Sequence, residues 1–178
     1  MRTLISASVL ALMAASASVA DDGDFAWSAG FSAIDISEPG LDVSVGAVTV
    51  RGGYEFSRHF GFEGQLDIGA NSDTVVFGGV PVDIDLNYGL SAFAVARAPV
   101  AENINLFVRA GYSMAEVDVS VPGLTISPDG DGWSYGVGAE VFFDERNGFR
   151  MDFTHSDFDG TDANSFGVHY VRRFGGGR

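Results

Sequence analysis

Apolar and polar side chains alternate residue by residue in several separate segments of the sequence. The clearest segment places Trp133, Tyr135, Val137, Ala139, Val141 and Phe143 at alternate positions, with Ser134, Gly136, Gly138 and Glu140 between them. Successive side chains of a β-strand point to opposite faces, so a period of two predicts strands with one apolar and one polar face. A chain built from such segments must bury or cover one face of every strand.

Eight segments show this alternation. They are residues 25–33, 48–56, 60–68, 84–94, 106–114, 133–143, 149–154 and 165–174. Short breaks at 57–59, 98–103 and 144–148 separate some of them, whereas 37–40, 71–82, 117–132 and 157–162 carry the Gly, Pro and Asp typical of turns and loops. An even number of strands, joined by alternately shorter and longer links, favours an antiparallel barrel.

Two of the predicted segments carry further expectations. In the fourth strand we expect the apolar face to carry Ile84, Leu86, Tyr88, Leu90, Ala92 and Ala94, although Phe93 and Val95 break the pattern near its end. In the long connection 117–132, the residues Val119, Val121 and Ile126 favour a hairpin that continues beyond the main strands.

The first twenty residues have the three parts of a signal peptide. Arg2 supplies a positive charge, Leu4 to Ala17 form an apolar run, and Ser18-Val19-Ala20 is a small-x-small cleavage site before Asp21. The apolar run is shorter than the roughly 20 residues of a membrane-spanning helix. We therefore expect a signal peptide at 1–20, a barrel domain at 21–174 and a Gly-rich tail at 175–178.

The composition excludes several classes of function. Acidic residues outnumber basic ones by 24 to 10, for a formal net charge of -14, and this balance argues against a nucleic-acid partner, because phosphate binding needs clustered cations. The chain has no cysteine, so neither disulfides nor thiol chemistry are available to it.

The polar faces of the predicted strands carry charges of both signs near the middle of the strands. This predicted network comprises Arg51, Glu63, Asp67, Arg109, Glu140, Arg150 and Asp152, with His169 on the same side of the last strand. Buried charges need partners, so we expect Arg51 and Arg109 to pair with Glu63 and Glu140 across a narrow lumen while the apolar face meets lipid. The reverse arrangement, a soluble periplasmic lipocalin-like barrel holding an apolar ligand, stays open at this point.

The signal peptide, the strand rhythm, the segment Ser134–Glu140 and the terminal segment Val168–Phe174 resemble the small outer-membrane β-barrel proteins of Gram-negative bacteria, of the OmpA transmembrane-domain and OmpX type. The resemblance covers the whole mature chain. It implies an all-β fold, an eight-stranded antiparallel up-and-down transmembrane β-barrel, in the cell outer membrane and surrounded by outer-membrane lipid. It also implies that Phe166, Val168, Tyr170 and Phe174 form a C-terminal assembly signal read by the barrel assembly machinery. Family members commonly end at the aromatic residue, whereas Gly175-Gly176-Gly177-Arg178 follows Phe174 here.

His155-Ser156 resembles the His and Ser of outer-membrane lipid A deacylases, which place the pair two residues apart. Adjacent residues of a regular strand point to opposite faces, so we expect no catalytic dyad and no enzymatic activity. A lipid-A-modifying enzyme remains an alternative. The acidic segments Asp129–Asp131 and Asp157–Asp162 contain oxygen ligands suited to calcium but do not match the EF-hand loop, and we expect solvated turns without metal or cofactor.

These observations together predict an outer-membrane barrel with a structural or surface-interaction role. We expect its lumen to be filled by the charged network instead of forming an open pore, because an eight-stranded barrel is narrow enough for side chains to fill. We also expect a monomer. The sequence does not indicate which surface partner its loops meet.

Overall fold

The computed structural model describes residues 24–38, 41–71, 73–77, 80–121, 124–158 and 161–175. The predicted signal peptide at 1–20 and the tail residues 176–178 lie outside these residues, as do Pro39-Gly40, Pro122-Gly123 and Asp159-Gly160 of the predicted turns and loops. None of the described residues belongs to a helix long and apolar enough to cross a membrane.

Ten β-strands make up the described chain. They are β1 (Asp24–Glu38), β2 (Leu41–Glu55), β3 (Phe60–Asn71), β4 (Asp73–Phe77), β5 (Val80–Ala101), β6 (Ile104–Val121), β7 (Leu124–Ile126), β8 (Asp129–Phe142), β9 (Asn147–Phe158) and β10 (Thr161–Phe174).

Eight of these strands close into a barrel in which every pairing is antiparallel. The closed order is β1-β2-β3-β5-β6-β8-β9-β10, and the β10–β1 ladder, from Phe25↔Phe174 to Ser37↔Asp162, completes the ring. Closure gives each wall strand a neighbour on both sides, which is the condition for strands to exist in hydrocarbon. The predicted eight-stranded antiparallel barrel is confirmed.

The barrel has two dissimilar ends. The start of β1, the end of β10 and the short turns at 56–59, 102–103 and 143–146 lie at one end, called here the turn end. The opposite end, called the loop end, carries the short strands β4 and β7. There β4 pairs with the first residues of β5, and β7 pairs with the last residues of β6. The expected extension of the hairpin through Val119 and Ile126 is confirmed by the Val119↔Ile126 pair.

Three predicted connections are shorter than expected. Residues 71–82 were expected to form a loop, but β4 occupies 73–77 and β5 begins at Val80. Residues 98–103 were expected to form a turn, but β5 continues to Ala101 and only Glu102 and Asn103 turn. In the 117–132 connection, β6 continues to Val121, β7 forms at 124–126 and β8 begins at Asp129. Cross-strand pairing overrides the local turn preference of Gly and Pro in these segments.

The face assignment of the first half of β5 is also wrong. The ladder between β5 and β6 shifts register between Leu86 and Tyr88, so one extra residue separates the two halves of the strand. A bulge of this kind reverses which face a side chain occupies. Ile84 and Leu86 therefore point inward and are buried, and beyond the bulge the inward side chains are those of Ser91, Phe93, Val95 and Arg97, which are also buried.

The outer face of the barrel is apolar and carries aromatic residues near both ends. Phe31, Phe62 and Trp133 expose 62 to 70% of their surface. Aromatic pairs at the turn end include Phe25–Phe174, Phe56–Phe62 and Phe143–Phe149, and Tyr112 packs edge-on against Trp133 toward the loop end. This is the arrangement of a lipid-facing band between two aromatic girdles.

The barrel interior is layered. Toward the loop end, Val43, Val45, Ala47, Ile84 and Leu86 form a buried apolar cluster, called here the apolar plug, against which Ile34, Ile36, Val82, Ala115 and Val117 pack. Polar and charged side chains fill the middle of the barrel below it. The alternation pattern did not predict the plug, because the pattern was followed in β2 only from Val48 onward and β5 was assigned the opposite face.

Candidate functional site

Asp152 is the centre of the buried charge cluster. Its carboxylate accepts two hydrogen bonds from Arg51, at 2.7 and 3.0 Å, and one from Nη2 of Arg109 at 2.9 Å. The Nε atom of Arg150 lies 3.3 Å from Oδ2 of the same carboxylate. One anion on β9 thus faces guanidinium groups from three strands.

Glu63 forms the second anionic centre, across the lumen on β3. Nη1 of Arg150 donates to its Oε2 at 2.5 Å, and Nη1 of Arg109 donates to its Oε1 at 3.0 Å. Arg51 is more distant, with 3.9 Å between its Nε and Oε1 of Glu63. Arg109 and Arg150 therefore connect the two carboxylates.

These groups are withdrawn from water. Arg51, Arg109, Arg150 and Asp152 each expose 2% of their surface. The guanidinium of Arg109 lies 4.4 Å from the ring centre of Phe93, and that of Arg150 lies 4.0 Å from the ring centre of Phe107. Charges at this burial are tolerated because each has opposite charges and hydrogen bonds around it, and loss of one partner is costly.

A hydrogen-bonded layer lies between the ion pairs and the apolar plug. Thr49 donates to Asp67 at 2.5 Å, Ser32 and Thr49 share a hydrogen bond at 2.7 Å, and Gln65 donates to Asp67 at 2.7 Å. Nδ1 of His169 accepts from Nη1 of Arg51 at 3.0 Å, so Nε2 carries the proton in this arrangement.

A second ion-pair group lies toward the turn end around Glu140. The Oε2 atom of Glu140 lies 3.1 Å from Nη2 of Arg173 and 3.6 Å from Nε of Arg97, and Arg150 approaches Oε1 at 3.6 Å. Arg97 also faces Glu55 at 3.6 Å. Arg97 was missing from the predicted network because its strand was expected to end before it. Continuing the alternation Ser91, Phe93, Val95 by one step would have found it.

The structure places all seven residues of the predicted network inside the barrel, although their pairing differs from the expectation. Arg51 pairs with Asp152 more closely than with Glu63, and Arg109 binds Glu63 and Asp152. The described ion pairs of Glu140 are with Arg97, Arg150 and Arg173, not with Arg109. Asp67 is linked to the arginines through Gln65, which accepts from Arg51 at 2.8 Å.

His155 and Ser156 lie on opposite sides of the wall, as adjacent residues of a regular strand do. Nδ1 of His155 donates to Oδ1 of Asn164 at 2.9 Å, and its ring lies 5.1 Å from that of Tyr135 on the outer face. Ser156 accepts a hydrogen bond from Ser134 at 2.7 Å, on the side that faces the lumen. No bulge shifts the register of β9 against β8 or β10 within the described ladders. This geometry forms no His–Ser dyad.

The side chains of the predicted assembly signal lie on the outer face of β10. Phe166, Val168 and Phe174 are exposed, Tyr170 is half-buried, and Val171 and His169 point inward. Arg172 is exposed at the turn end, with its guanidinium 5.5 Å from the ring centre of Phe174.

The charges of the loop end all have one sign in the described residues. The arginines lie in the interior (Arg51, Arg97, Arg109 and Arg150) or at the turn end (Arg58, Arg146, Arg172 and Arg173). The loop end instead carries Asp35, Asp83, Asp85, Glu116, Asp118, Asp129, Asp131, Asp157 and Asp162. Asp131 accepts a hydrogen bond from the hydroxyl of Tyr112. Among the described residues, no group of three or more His, Cys, Asp and Glu side chains is placed to hold a metal ion.

Comparison with known proteins agrees with this architecture. The sequence profile of the family described as outer membrane protein beta-barrel domain matches residues 5–174. A comparison with curated protein sequences gives no match.

Solved structures of similar fold are small outer-membrane barrels. Ail, the attachment invasion locus protein of Yersinia pestis, in complex with the heparin analogue sucrose octasulfate, is 18% identical with a TM-score of 0.65, over 85% of this chain and 99% of that one. Neisserial surface protein A is 10% identical with a TM-score of 0.65, over 84% and 97%. The outer membrane protein OprG from Pseudomonas aeruginosa is 14% identical with a TM-score of 0.65, over 86% and 97%. At these identities the likeness concerns the fold alone.

Proposed function

The chain belongs to the family of outer membrane protein β-barrel domains, and from this membership we propose that it is a closed, non-enzymatic barrel of the outer membrane with a structural or surface-interaction role. The observation that carries the proposal is the connection of Glu63 and Asp152 through Arg109 and Arg150, fully buried across the lumen. Together with the apolar plug, this network fills the barrel instead of leaving an open pore.

The proposal includes the route by which the chain reaches the membrane. Residues 1–20 act as a signal peptide, residues 21–174 insert as a monomer into outer-membrane lipid, and residues 175–178 form a tail. The outer face of β10, with Phe166, Val168, Tyr170 and Phe174, supplies the signal for the barrel assembly machinery. The loop end faces the outside of the cell, in keeping with the long outer loops and short periplasmic turns of such barrels.

The charge of the loop end restricts which surface partners can bind there. The structure of Ail holds a heparin analogue, sucrose octasulfate, which is a polyanion. The described loop end of this chain carries acidic residues and no arginine or lysine, so a polyanion would be repelled from it. A surface partner of this barrel is therefore neutral or basic.

A conductance measurement tests the closed lumen. The refolded barrel in a planar bilayer should give no steady ion conductance, and the substitution Arg109→Ser should produce one, because it removes the side chain that joins Glu63 and Asp152. Arg58→Ser, which removes an exposed arginine at the turn end, is the matched control and should behave as the native chain. Gel migration without boiling checks that each variant is folded. A steady conductance of the native barrel would contradict the closed lumen.

Cell fractionation tests the location. The chain should remain with the outer membrane until detergent is added. Recovery in the soluble periplasm would instead favour the lipocalin-like alternative, and a change in lipid A on expression of the chain would favour the enzymatic one.

A further inference from the structure

Four charged side chains surround the lumen at the turn end of the barrel. They are Glu55 on β2, Arg97 on β5, Glu140 on β8 and Arg173 on β10, called here the mouth cluster. Arg97 and Glu140 expose only 8% and 2% of their surface, and the side chains of Glu55 and Arg173 expose 12% and 23%. The cluster therefore spans the boundary between the lumen and the solvent at this end.

Two hydrogen-bond donors of the mouth cluster lack an acceptor among the described residues. The Nε atoms of Arg97 and Arg173 are buried without a hydrogen-bond partner. Nε of Arg97 lies 3.6 Å from carboxylate oxygens of Glu55 and Glu140, and Nε of Arg173 lies 3.9 Å from Glu55. An N–H···O hydrogen bond is about 2.7 to 3.2 Å long. Because buried N–H groups are nearly always paired, these two donors point to an acceptor outside the described residues.

The mouth also has one carboxylate more than it has arginines. Asp24 lies directly opposite Glu55 in the β1–β2 ladder, and alternation with the buried side chains that follow on β1 directs it inward. Together with Glu140 this makes three carboxylates for the two arginines of the mouth cluster. Arg150, which approaches Glu140 at 3.6 Å, is already hydrogen-bonded to Glu63. One further cation would balance the mouth, because buried carboxylates need partners.

The C-terminal tail begins beside this cluster. The β1–β10 ladder ends at Phe174, and Gly175 follows it with a φ of +154°. A Cβ atom at Gly175 would collide with Oδ1 of Asp24, so glycine allows the chain to pass close to this inward carboxylate. β10 and β2 are two strand spacings apart, about 9.5 Å, and three residues span up to about 10 Å. Residues 176–178 are therefore long enough to reach Glu55.

The tail has the chemistry that the mouth cluster needs. Gly176 and Gly177 carry backbone carbonyls without side chains that would obstruct their approach to a buried N–H group. Arg178 supplies one guanidinium group. The segment that precedes Asp24, residues 21–23, contains two aspartates and would add to the excess of carboxylates. Charge complementarity therefore selects the tail over the N-terminal segment as the occupant of the mouth.

We propose that residues 176–178 fold over the turn-end mouth of the lumen. The glycine carbonyls accept hydrogen bonds from the two arginine Nε atoms of the mouth cluster, and the guanidinium of Arg178 forms ion pairs with Glu55 and Asp24. The tail then closes the turn end of the lumen as the apolar plug closes the loop end. The inference goes beyond the proposed function, and it holds for either orientation of the barrel in the membrane.

Arginine side-chain NMR of the refolded, isotope-labelled barrel tests the hydrogen bonds. Removal of residues 176–178 should shift the Nε–H signals of Arg97 and Arg173 and make their exchange with solvent about tenfold faster, the factor that corresponds to 1.4 kcal/mol. Nε of Arg109, which donates to Thr154 in the middle of the barrel, is the internal control and should not change. Arg97→Lys and Arg173→Lys assign the two signals. Equal signals and equal exchange in the full and shortened chains would overturn the proposal.

A double-mutant cycle tests the ion pairs. Arg178→Gln should make unfolding in urea about threefold faster, and clearly less so in a Glu55→Gln background, where one of its two partner carboxylates is neutral. Arg178→Lys keeps the charge and should retain most of the native rate. Arg172→Gln, which changes an exposed arginine at the same end, is the matched control and should have the same effect in both backgrounds. Additive effects of Arg178→Gln and Glu55→Gln would contradict the pairing.

Other occupants of the mouth would give different NMR results. If added inorganic phosphate protects the two Nε–H groups and residues 176–178 do not, a free anion occupies the mouth and the proposal is overturned. Slow exchange that persists in the shortened chain without added anions would assign the acceptor to ordered water, with the same consequence. Neither result affects the proposed function, since the network that closes the lumen lies further inside the barrel.

Discussion

Asp152 illustrates how one buried residue organises its neighbours. Its two carboxylate oxygens form ion pairs with guanidinium groups from β2, β6 and β9, and Nδ1 of His169 lies 3.5 Å from Oδ2. The alternation of side chains predicted that Asp152 would face the lumen with charges of both signs. It could not predict which arginine approaches Asp152 most closely. That depends on the register, along the barrel axis, of strands that are far apart in sequence.

We expect Asp152→Asn to destabilise the folded barrel by roughly 3–5 kcal/mol, because it leaves three buried guanidinium groups without their shared anion. The measurement is urea unfolding in lipid vesicles, followed by tryptophan fluorescence. Asp157→Asn on the same strand is the control, since Asp157 is exposed and its substitution should stay within about 0.5 kcal/mol. Equal effects of the two substitutions would contradict a structural role for the network.

Asp85 and Asp118 form the opposite case, a pair of like charges directly across the β5–β6 ladder. Oδ1 of Asp118 is buried without a hydrogen-bond partner. We expect Asp118→Asn to stabilise the barrel by roughly 0.2–1 kcal/mol, because like charges directly opposite each other destabilise a sheet. The gain should appear as a higher unfolding midpoint in the same vesicle assay.

The control for this change is Asp83→Asn. Asp83 lies opposite Ser120 and accepts a hydrogen bond from Thr74 at 2.7 Å, so removing its charge relieves no like-charge pair across this ladder. A gain of the same size for Asp83→Asn would show that overall acidity, not the opposed pair, limits stability.

At the scale of single elements, β5 shows what alternation can and cannot predict. Tyr88 and Ala94 were assigned correctly to the outer face, because the period of two holds between them. Ile84 and Leu86 were not, because a bulge inserts one residue without any local signal in the sequence. The strand also extends through Pro81 and Pro99, where the breaker residues favoured loops. Pairing with β4 and β6 decides these segments, and that pairing is not local information.

Hydrogen bonds to the side chain of Asp144 stabilise the turn between β8 and β9. The carboxylate of Asp144 accepts hydrogen bonds from the backbone N–H groups of Arg146, at 2.8 Å, and Asn147, at 2.5 Å, and from the side-chain amide of Asn147. These donors favour the charged form, so they hold the pKa of Asp144 below its ordinary value of 3.8.

Because the pKa is lower in the folded state, the stabilisation from Asp144 is present above its unfolded value and is lost as the pH falls through the folded value. We expect the thermal midpoint of the native barrel to fall between about pH 5 and about pH 2 by more than that of Asp144→Asn. The difference should be small, since Asp144 is fully exposed. Glu145→Gln, which removes a charge from the same turn without touching these hydrogen bonds, should follow the native profile.

At the scale of the whole molecule, the charge distribution divides the barrel into an acidic loop end, a balanced interior and a turn end that holds the exposed arginines of the described residues. The formal net charge of -14 predicted an acidic surface but not its position. The position follows from the fold, which gathers the described acidic residues from the ends of six strands into one rim.

The acidic loop end and the short turns at the opposite end imply a single orientation of the barrel in the membrane. Because the chain has no cysteine, single introduced cysteines can test this orientation. We expect Ser127→Cys, between β7 and β8, to react with a membrane-impermeant maleimide in intact cells, because it lies exposed at the loop end. Glu145→Cys lies in the turn between β8 and β9 and should react only after the outer membrane is permeabilised. The native chain has no thiol and gives the background directly. Labelling of Glu145→Cys but not of Ser127→Cys in intact cells would show that the barrel has the opposite orientation.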